Sequence, residues 1–141
     1  MDNLIAPETR PWGTYQVIAD TEHFKVKTIT VKPGQRLSYQ YHHHRQEHWS
    51  VIEGELTIIL DGVEYTKRPG ESINIAQGAY HRAWNKSKKL VTFVELQTGT
   101  YFGEDDIVRI DDDYGRGEMS KQGLMDKESL DESLYRNGRP R

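Results

Sequence analysis

The chain has 141 residues, 35% of them hydrophobic, enough for one modest core and the expectation of a single folded domain. Lys and Arg number 19 against 22 Asp and Glu, a formal net charge of −3; so near a balance excludes a general nucleic-acid binder held by counterion release, while a local basic cluster can still hold one phosphate. With no cysteine, disulfides and thiolate metal sites are also excluded, so any bound metal must take nitrogen and oxygen donors.

The opening MDNLIAPETRPWG lacks the basic-then-apolar order of a secretion signal, and no apolar run long enough to span a bilayer follows it. A soluble, cytoplasmic protein with no membrane partner is expected. From Trp12 to Leu96, short segments rich in Val, Ile, Thr, Tyr and Trp alternate with turn signals at Pro33-Gly34, Asp61-Gly62 and Pro69-Gly70. Strands are placed near 14–19, 24–32, 36–42, 48–53, 55–60, 63–67, 72–75, 81–85 and 90–96, a spacing that predicts an all-β sandwich or barrel. ELTIILDGVEY is the clearest hairpin, because Asp-Gly tolerates the positive φ of a tight reversal. After Tyr101 comes the acidic GEDDIVRIDDDYGRG, and the polar tail 117–141, with scattered Leu124, Met125, Leu130 and Leu134, reads as one weak helix or as a frayed or partner-bound end. The expected organisation is therefore a β domain over 1–116 and a tail over 117–141.

In a strand alternate side chains share a face, so within RLSYQYH the residues Ser38, Gln40 and His42 point one way. Gln40 and His42 can then approach one ion together. Glu47 lies just beyond a tight HHHRQ connection, where the chain can reverse and return a carboxylate to the same point, and His81 would complete the set from a later strand. Any one of these residues alone is more simply read as surface. Their spacing overrides that reading: Gly34-x5-Gln40-x-His42-x4-Glu47-x6-Gly54, then Gly70-x5-Ala76-x-Gly78-x2-His81-x3-Asn85. Starting instead from His42 and His44 leaves only two residues before Glu47 and puts seven between Gly34 and His42. His44 and His48 are read as site-lining or as ordinary exposed histidines.

These spacings resemble the two cupin motifs, G-x5-H-x-H-x3-4-E-x6-G and G-x5-P-x-G-x2-H-x3-N, with Gln40 in place of the first histidine and Ala76 in place of the proline. The resemblance implies a double-stranded β-helix, a jelly-roll barrel, holding one divalent metal ion on Gln40, His42, Glu47 and His81. The resulting O/N/O/N donor set suits Zn²⁺ first, with Mn²⁺ or Co²⁺ as alternatives.

The longer string LSYQYHHHRQEHWSVIEGE resembles the type II phosphomannose isomerase domain, usually met as the carboxyl-terminal part of bifunctional mannose-1-phosphate guanylyltransferase/mannose-6-phosphate isomerases. Its Q-x-H-x-x-R-x-E-H-W core falls here on Gln40, His42, Arg45, Glu47, His48 and Trp49. RPWGTYQVI, FKVKTITVKPGQ and TGTYFGEDDIVRIDDDYGR support the match, which covers about residues 10–116. In the bifunctional enzymes a nucleotidyltransferase domain precedes the cupin. This chain begins a few residues before RPWG, so isomerase activity without guanylyltransferase activity is expected, with drift to another sugar as an alternative.

The resemblance implies interconversion of mannose 6-phosphate and fructose 6-phosphate, in which a proton moves between adjacent carbons and a divalent ion polarises the carbonyl. A small sugar phosphate is then the partner. Arg45 is the first choice for its phosphate and for the site chemistry, Arg82 the second, with Lys27 and His48 as further substrate contacts; Lys25 and Lys27 share a strand face and line the mouth or meet solvent. His44, Glu95 and His48, in that order, are the candidates for proton transfer, the alternative for Glu95 being a strand-end carboxylate paired with a neighbouring lysine or arginine. Glu104-Asp105-Asp106 is either a solvated acidic loop or a lid or dimer contact. A homodimer through edge strands is expected. The alternatives to an isomerase are a binding module that holds sugar phosphate without turnover and an iron-dependent cupin oxygenase, the latter disfavoured by Gln40. A metal-free epimerase would leave the complete ligand set unexplained.

Overall fold

The computed structural model describes residues 6–115, and the tail expected over 117–141 lies outside them. Eleven strands are assigned among these residues: β1 (Glu8–Arg10), β2 (Gly13–Asp20), β3 (Phe24–Val31), β4 (Tyr39–Tyr41), β5 (Arg45–Glu53), β6 (Leu56–Leu60), β7 (Val63–Lys67), β8 (Ser72–Ile75), β9 (His81–Trp84), β10 (Val91–Gly99) and β11 (Val108–Asp111). They form two sheets of antiparallel pairs, sheet A in the order β1-β2-β3-β10-β5-β8 and sheet B in the order β11-β4-β9-β6-β7. Among the described residues no helix is long and apolar enough to cross a membrane.

Local chemistry explains the connections. Asp61 and Gly62 have φ of 47° and 84°, the two positive values a two-residue loop needs, and they close β6 onto β7 with Leu60 opposite Val63. At Gly13 the backbone presses against β3 so closely that a Cβ would stand 2.0 Å from the Thr30 carbonyl oxygen. Only glycine fits there.

Two strands, β1 and β11, were not expected. Both are short sheet-edge pieces, and charged residues interrupt their apolar alternation. The strand expected over 36–42 contracts to Tyr39–Tyr41; Leu37 still donates its N–H to the Ala83 carbonyl, and Arg36 makes an isolated bridge to Trp84. The expected HHHRQ reversal is also corrected. Arg45 and Gln46 already belong to β5, so the connection spans only 42–44 and carries the chain from sheet B into sheet A instead of folding it back on β4.

Period-2 alternation fills the space between the sheets. Ile29, Val31, Trp49, Val51, Leu56, Ile58, Ile75, Ala83, Val91 and Phe93 form one buried cluster drawn from both. Removing the Phe93 ring, which is fully buried, would cost about 3–5 kcal/mol. Along the same inward-facing rows the chemistry then changes. Ile29 gives way to Lys27 on β3, Trp49 to Glu47 and Arg45 on β5, Phe93 to Glu95 and Gln97 on β10, and Ala83 to His81 on β9, all of them buried. One end of the interior is an apolar plug; the other is a polar cavity.

Candidate metal centre

The cavity is lined by Ser38, Gln40, His42 and His81 from the side of sheet B, and by Tyr15, Lys27, Arg45, Glu47, Trp49 and Glu95 from sheet A. Gln40 lies directly opposite His81 in the β4–β9 register. His42 follows β4 on the same face, and Glu47 reaches across from β5. Ligand atoms of His42, Glu47 and His81 lie within 4.8 Å of one another, with His42 Nε2 3.1 Å from Glu47 Oε2 and His81 Nε2 3.7 Å from Glu47 Oε1. Donors around one ion at ~2.1 Å sit roughly 3–4 Å apart, so the three groups fit a shared cation.

Their surroundings fit it as well. His42 Nδ1 donates to the Asp106 carbonyl at 2.7 Å and His81 Nδ1 to the Ala79 carbonyl at 2.9 Å, leaving each Nε2 lone pair towards Glu47. A backbone acceptor on the far nitrogen fixes the tautomer and the ring angle a metal-binding imidazole requires. Burial lowers the His81 pKa to about 4, outweighing the nearby Glu47 carboxylate, so this imidazole is neutral at physiological pH. Burial alone would raise Glu47, but His42, His81 and Arg45 together hold it well below the usual carboxylate range, and it is ionised. Glu47 also accepts from Arg45 Nε and from Trp49 Nε1, both at 2.9 Å. Gln40 shares the cavity, its amide nitrogen donating to the Ser38 carbonyl at 3.4 Å.

A second charged layer stands beside these groups. Glu95 has a pKa raised to about 7 by burial and then by Glu47, against the opposing pull of Lys27 and Arg45, and it accepts from Gln97 Nε2 at 2.5 Å. Lys27 is buried yet raised above its ordinary value: burial lowers it, and Glu95 and Glu104 outweigh that. Its ammonium pairs with Glu104 at 2.6 Å and stands 4.6 Å from the Tyr15 ring centroid. Arg10 approaches the same ring at 5.0 Å and also lines the cavity, as does Arg109 of β11. Among the described residues, three buried side-chain polar atoms lack a hydrogen-bond partner: Ser38 Oγ, Arg45 Nη1 and Gln97 Oε1. All belong to this cavity or its wall, and unpaired buried donors and acceptors cost free energy unless something fills them.

Of the residues singled out from sequence, Gln40, His42, Arg45, Glu47, His81, Lys27 and Glu95 meet here. His44, His48 and Arg82 do not line this cavity. Strand alternation turns His48 away from Glu47's side, where its Nδ1 meets Asn74 Oδ1 at 2.5 Å. Arg82 likewise turns from His81's side, donating to the Leu37 carbonyl at 2.9 Å and to Asp111 at 3.2 Å. His44 is exposed on the connection, its ring 6.0 Å from that of Tyr101. The acidic loop reaches inward: Glu104 pairs with Lys27, and the Asp106 carboxylate accepts the N–H groups of His43 and His44. Sequence reading missed Arg10, Tyr15, Gln97 and Arg109. Gln97 shares parity with Glu95 and was within reach; Arg109 sits on a strand that was not expected.

A family model described as mannose-6-phosphate isomerase C-terminal matches residues 5–112. The chain is 45% identical over 107 residues to the alginate biosynthesis protein AlgA of Pseudomonas aeruginosa, a match covering 76% of this chain and 22% of that protein. It is 46% identical over 107 residues to the mannose-1-phosphate guanylyltransferase ManC of Salmonella typhimurium, with the same coverage. The chain thus spans less than a quarter of the length of these curated relatives. Among solved structures, the capsular polysaccharide assembling protein CapF of Staphylococcus aureus superposes with a TM-score of 0.68 at 18% identity, over 77% of this chain and 32% of that one. An RmlC-like cupin from Shewanella frigidimarina gives 0.63 at 19%, over 74% and 89%. These likenesses identify the fold as a cupin double-stranded β-helix, and with the sequence matches they place the chain in the mannose-6-phosphate isomerase C-terminal family.

Proposed function

We propose that this domain is a metal-dependent sugar-phosphate isomerase that interconverts mannose 6-phosphate and fructose 6-phosphate. The observation that carries the proposal is one buried cavity combining a His42–Glu47–His81 donor set with a carboxyl group, Glu95, whose pKa of about 7 suits proton transfer at neutral pH. His42, Glu47 and His81, with Gln40 as a fourth donor, would hold the ion, Zn²⁺ before Mn²⁺ or Co²⁺; such an ion supplies a Lewis acid at the sugar carbonyl. In the aldose-to-ketose direction Glu95 removes the proton from C2 and returns it to C1, while a second proton passes from the C2 hydroxyl to the carbonyl oxygen at C1. Glu95 starts and ends each turnover ionised.

Lys27 and Arg45 flank Glu95 and supply positive charge for the substrate's anionic groups, with Arg10 and Arg109 as further cations of the lining. An arginine fork matches phosphate oxygens, and the unpartnered Arg45 Nη1 is a donor with capacity to spare. Trp12, Tyr15, Ile29 and Trp49 give the cavity apolar walls that limit water around the reacting carbons. The test is a coupled assay for fructose 6-phosphate formed from mannose 6-phosphate, before and after chelation and with metals added back. Turnover that chelation abolishes and Zn²⁺ restores is expected. Binding of sugar phosphate with no turnover under any metal would instead identify a recognition module.

A further inference from the structure

Three carboxylates follow one another on the loop between β10 and β11, and each has a different partner. Asp105 accepts from the Tyr101 hydroxyl at 2.5 Å within the loop, and Asp106 accepts the N–H groups of His43 and His44. Of the three, only Glu104 lines the cavity, where its Oε2 accepts from Lys27 Nζ at 2.6 Å. The two ends of this ion pair are unequal. The Lys27 side chain is 6% exposed and that of Glu104 45%. Lys27 is held over the Tyr15 ring, whereas Glu104 needs only rotation about its own side-chain bonds to reach water, with Asp106 still gripping the connection.

Glu104 also stands where an anion is favoured. Burial alone would raise its pKa, yet Lys27, then Arg45 and Lys25, hold it below the ordinary carboxylate value. A carboxylate and a phosphate offer an ammonium the same kind of charged oxygen acceptor. Both together would set like charges against each other on one nearly buried cation.

We infer that Glu104 holds the place of the substrate's phosphate on Lys27, and that a sugar phosphate binds by exchanging one anion for the other, resting on the proposed role of Lys27 as a phosphate contact. The exchange has two effects. Before the ligand arrives Lys27 already has a counter-charge, so the ammonium is ordered and protonated in a place where an unpaired ion would be costly. Every ligand must also release Glu104 first, which lowers its apparent affinity by the fraction of molecules in which Lys27 is free. A phosphate regains an ion pair in return. An uncharged sugar regains none and strands the ammonium, so Glu104 sets a threshold that an anionic ligand crosses and a neutral one does not.

Calorimetric titration of the full chain with inorganic phosphate tests the exchange. Glu104→Gln should tighten phosphate binding at least about tenfold, because a neutral amide holds Lys27 more weakly than a carboxylate does. Glu104→Asp keeps the charge but is one methylene too short to hold Lys27 as closely, and should tighten binding by about three- to tenfold. In a Lys27→Met background neither substitution should gain more than about twofold, since the competition is then gone. Circular dichroism checks the fold of each variant, and Glu104→Asp carries the test if Glu104→Gln does not fold. Phosphate affinity unchanged by these substitutions, no phosphate binding by any form, or a gain just as large without Lys27, which would mark plain charge repulsion, would overturn the inference. Phosphate alone is the probe, so a chain that shows the exchange but turns over no sugar counts against the isomerase and leaves the exchange standing.

Discussion

The backbone carbonyl of Asp106 accepts the Nδ1 hydrogen of His42 at 2.7 Å, while the carboxylate of the same residue accepts the N–H groups of His43 and His44 at 2.9 and 3.0 Å. One loop residue thus fixes both the angle of a candidate ligand and the connection that follows it. Asp106→Ala keeps the carbonyl that orients His42 but removes the carboxylate that anchors the connection after it, and should weaken metal binding by up to about tenfold through the loosened loop. Competition with a chromogenic chelator reads this directly; unchanged affinity would show that the site does not depend on the carboxylate anchor of the 43–44 connection.

Glu47 receives hydrogen bonds from Arg45 on one oxygen and Trp49 on the other. A glutamine can accept on only one side, and it leaves the buried guanidinium of Arg45 without its counter-charge. Glu47→Gln should therefore abolish metal binding and also destabilise the metal-free domain by about 3–5 kcal/mol. Denaturant unfolding in chelator separates the two effects. A variant as stable as the parent would mean that Arg45 finds compensation elsewhere.

Glu95, with its pKa near 7, sets the pH dependence. As the base it must be ionised, so kcat/KM should rise with pH to a limb near 7, and Glu95→Gln should remove the limb and at least ~10²-fold of the rate. Stability moves the opposite way. The folded-state pKa lies above the ordinary 4.5, so between these values the folded domain holds a proton that the unfolded chain has released. Its stabilising contribution is complete below pH 4.5 and is lost as pH rises through about 7, by up to ~3 kcal/mol. In Glu95→Gln that slope should vanish from a series of unfolding curves; its persistence would place the proton on another group.

Lys27 and Arg82 were both phosphate candidates, and the structure separates them. Lys27→Met should raise KM for the sugar phosphate by about tenfold or more, a loss of roughly 1.4 kcal/mol or greater. Arg82→Ala should leave KM close to the parent's and lower stability by about 1–3 kcal/mol, because the Leu37 carbonyl and Asp111 lose their donor. Steady-state kinetics beside thermal unfolding distinguish the two. A KM effect at Arg82 alone would reverse the assignment.

Where chemistry is local, sequence reading reached it. Asp61-Gly62 announces its hairpin through the φ values those residues tolerate, and alternation in RLSYQYH puts Ser38, Gln40 and His42 on one face without any tertiary information. What eluded it depends on partners distant in the chain. The burial of Lys27 reflects Glu104, seventy-seven positions away, and an isolated reading of its strand favours solvent for at least one of Lys25 and Lys27. His44 ranked ahead of Glu95 for proton transfer on nearness to the ligands in sequence, yet the connection leaves His44 exposed, whereas Glu95 sits opposite Trp49 and Lys27 on its two neighbouring strands. Asp106 could have been found only by knowing that β11 returns to pair with β4 and brings its preceding loop against His42.

The change from apolar to charged side chains along single strands bears on how these strands find their pairing. Sliding a strand by one residue turns every side chain inside out and is penalised at once by the hydrophobic effect. A slip of two preserves inside and outside, and a uniformly greasy interior would resist it only weakly. Here such a slip would drive Lys27 opposite Phe93, or draw Glu95 opposite Val51, stranding an ion in hydrocarbon. The ionic groups therefore guard alignment as well as chemistry, and neutralising them should admit misregistered folding intermediates that the native sequence forbids.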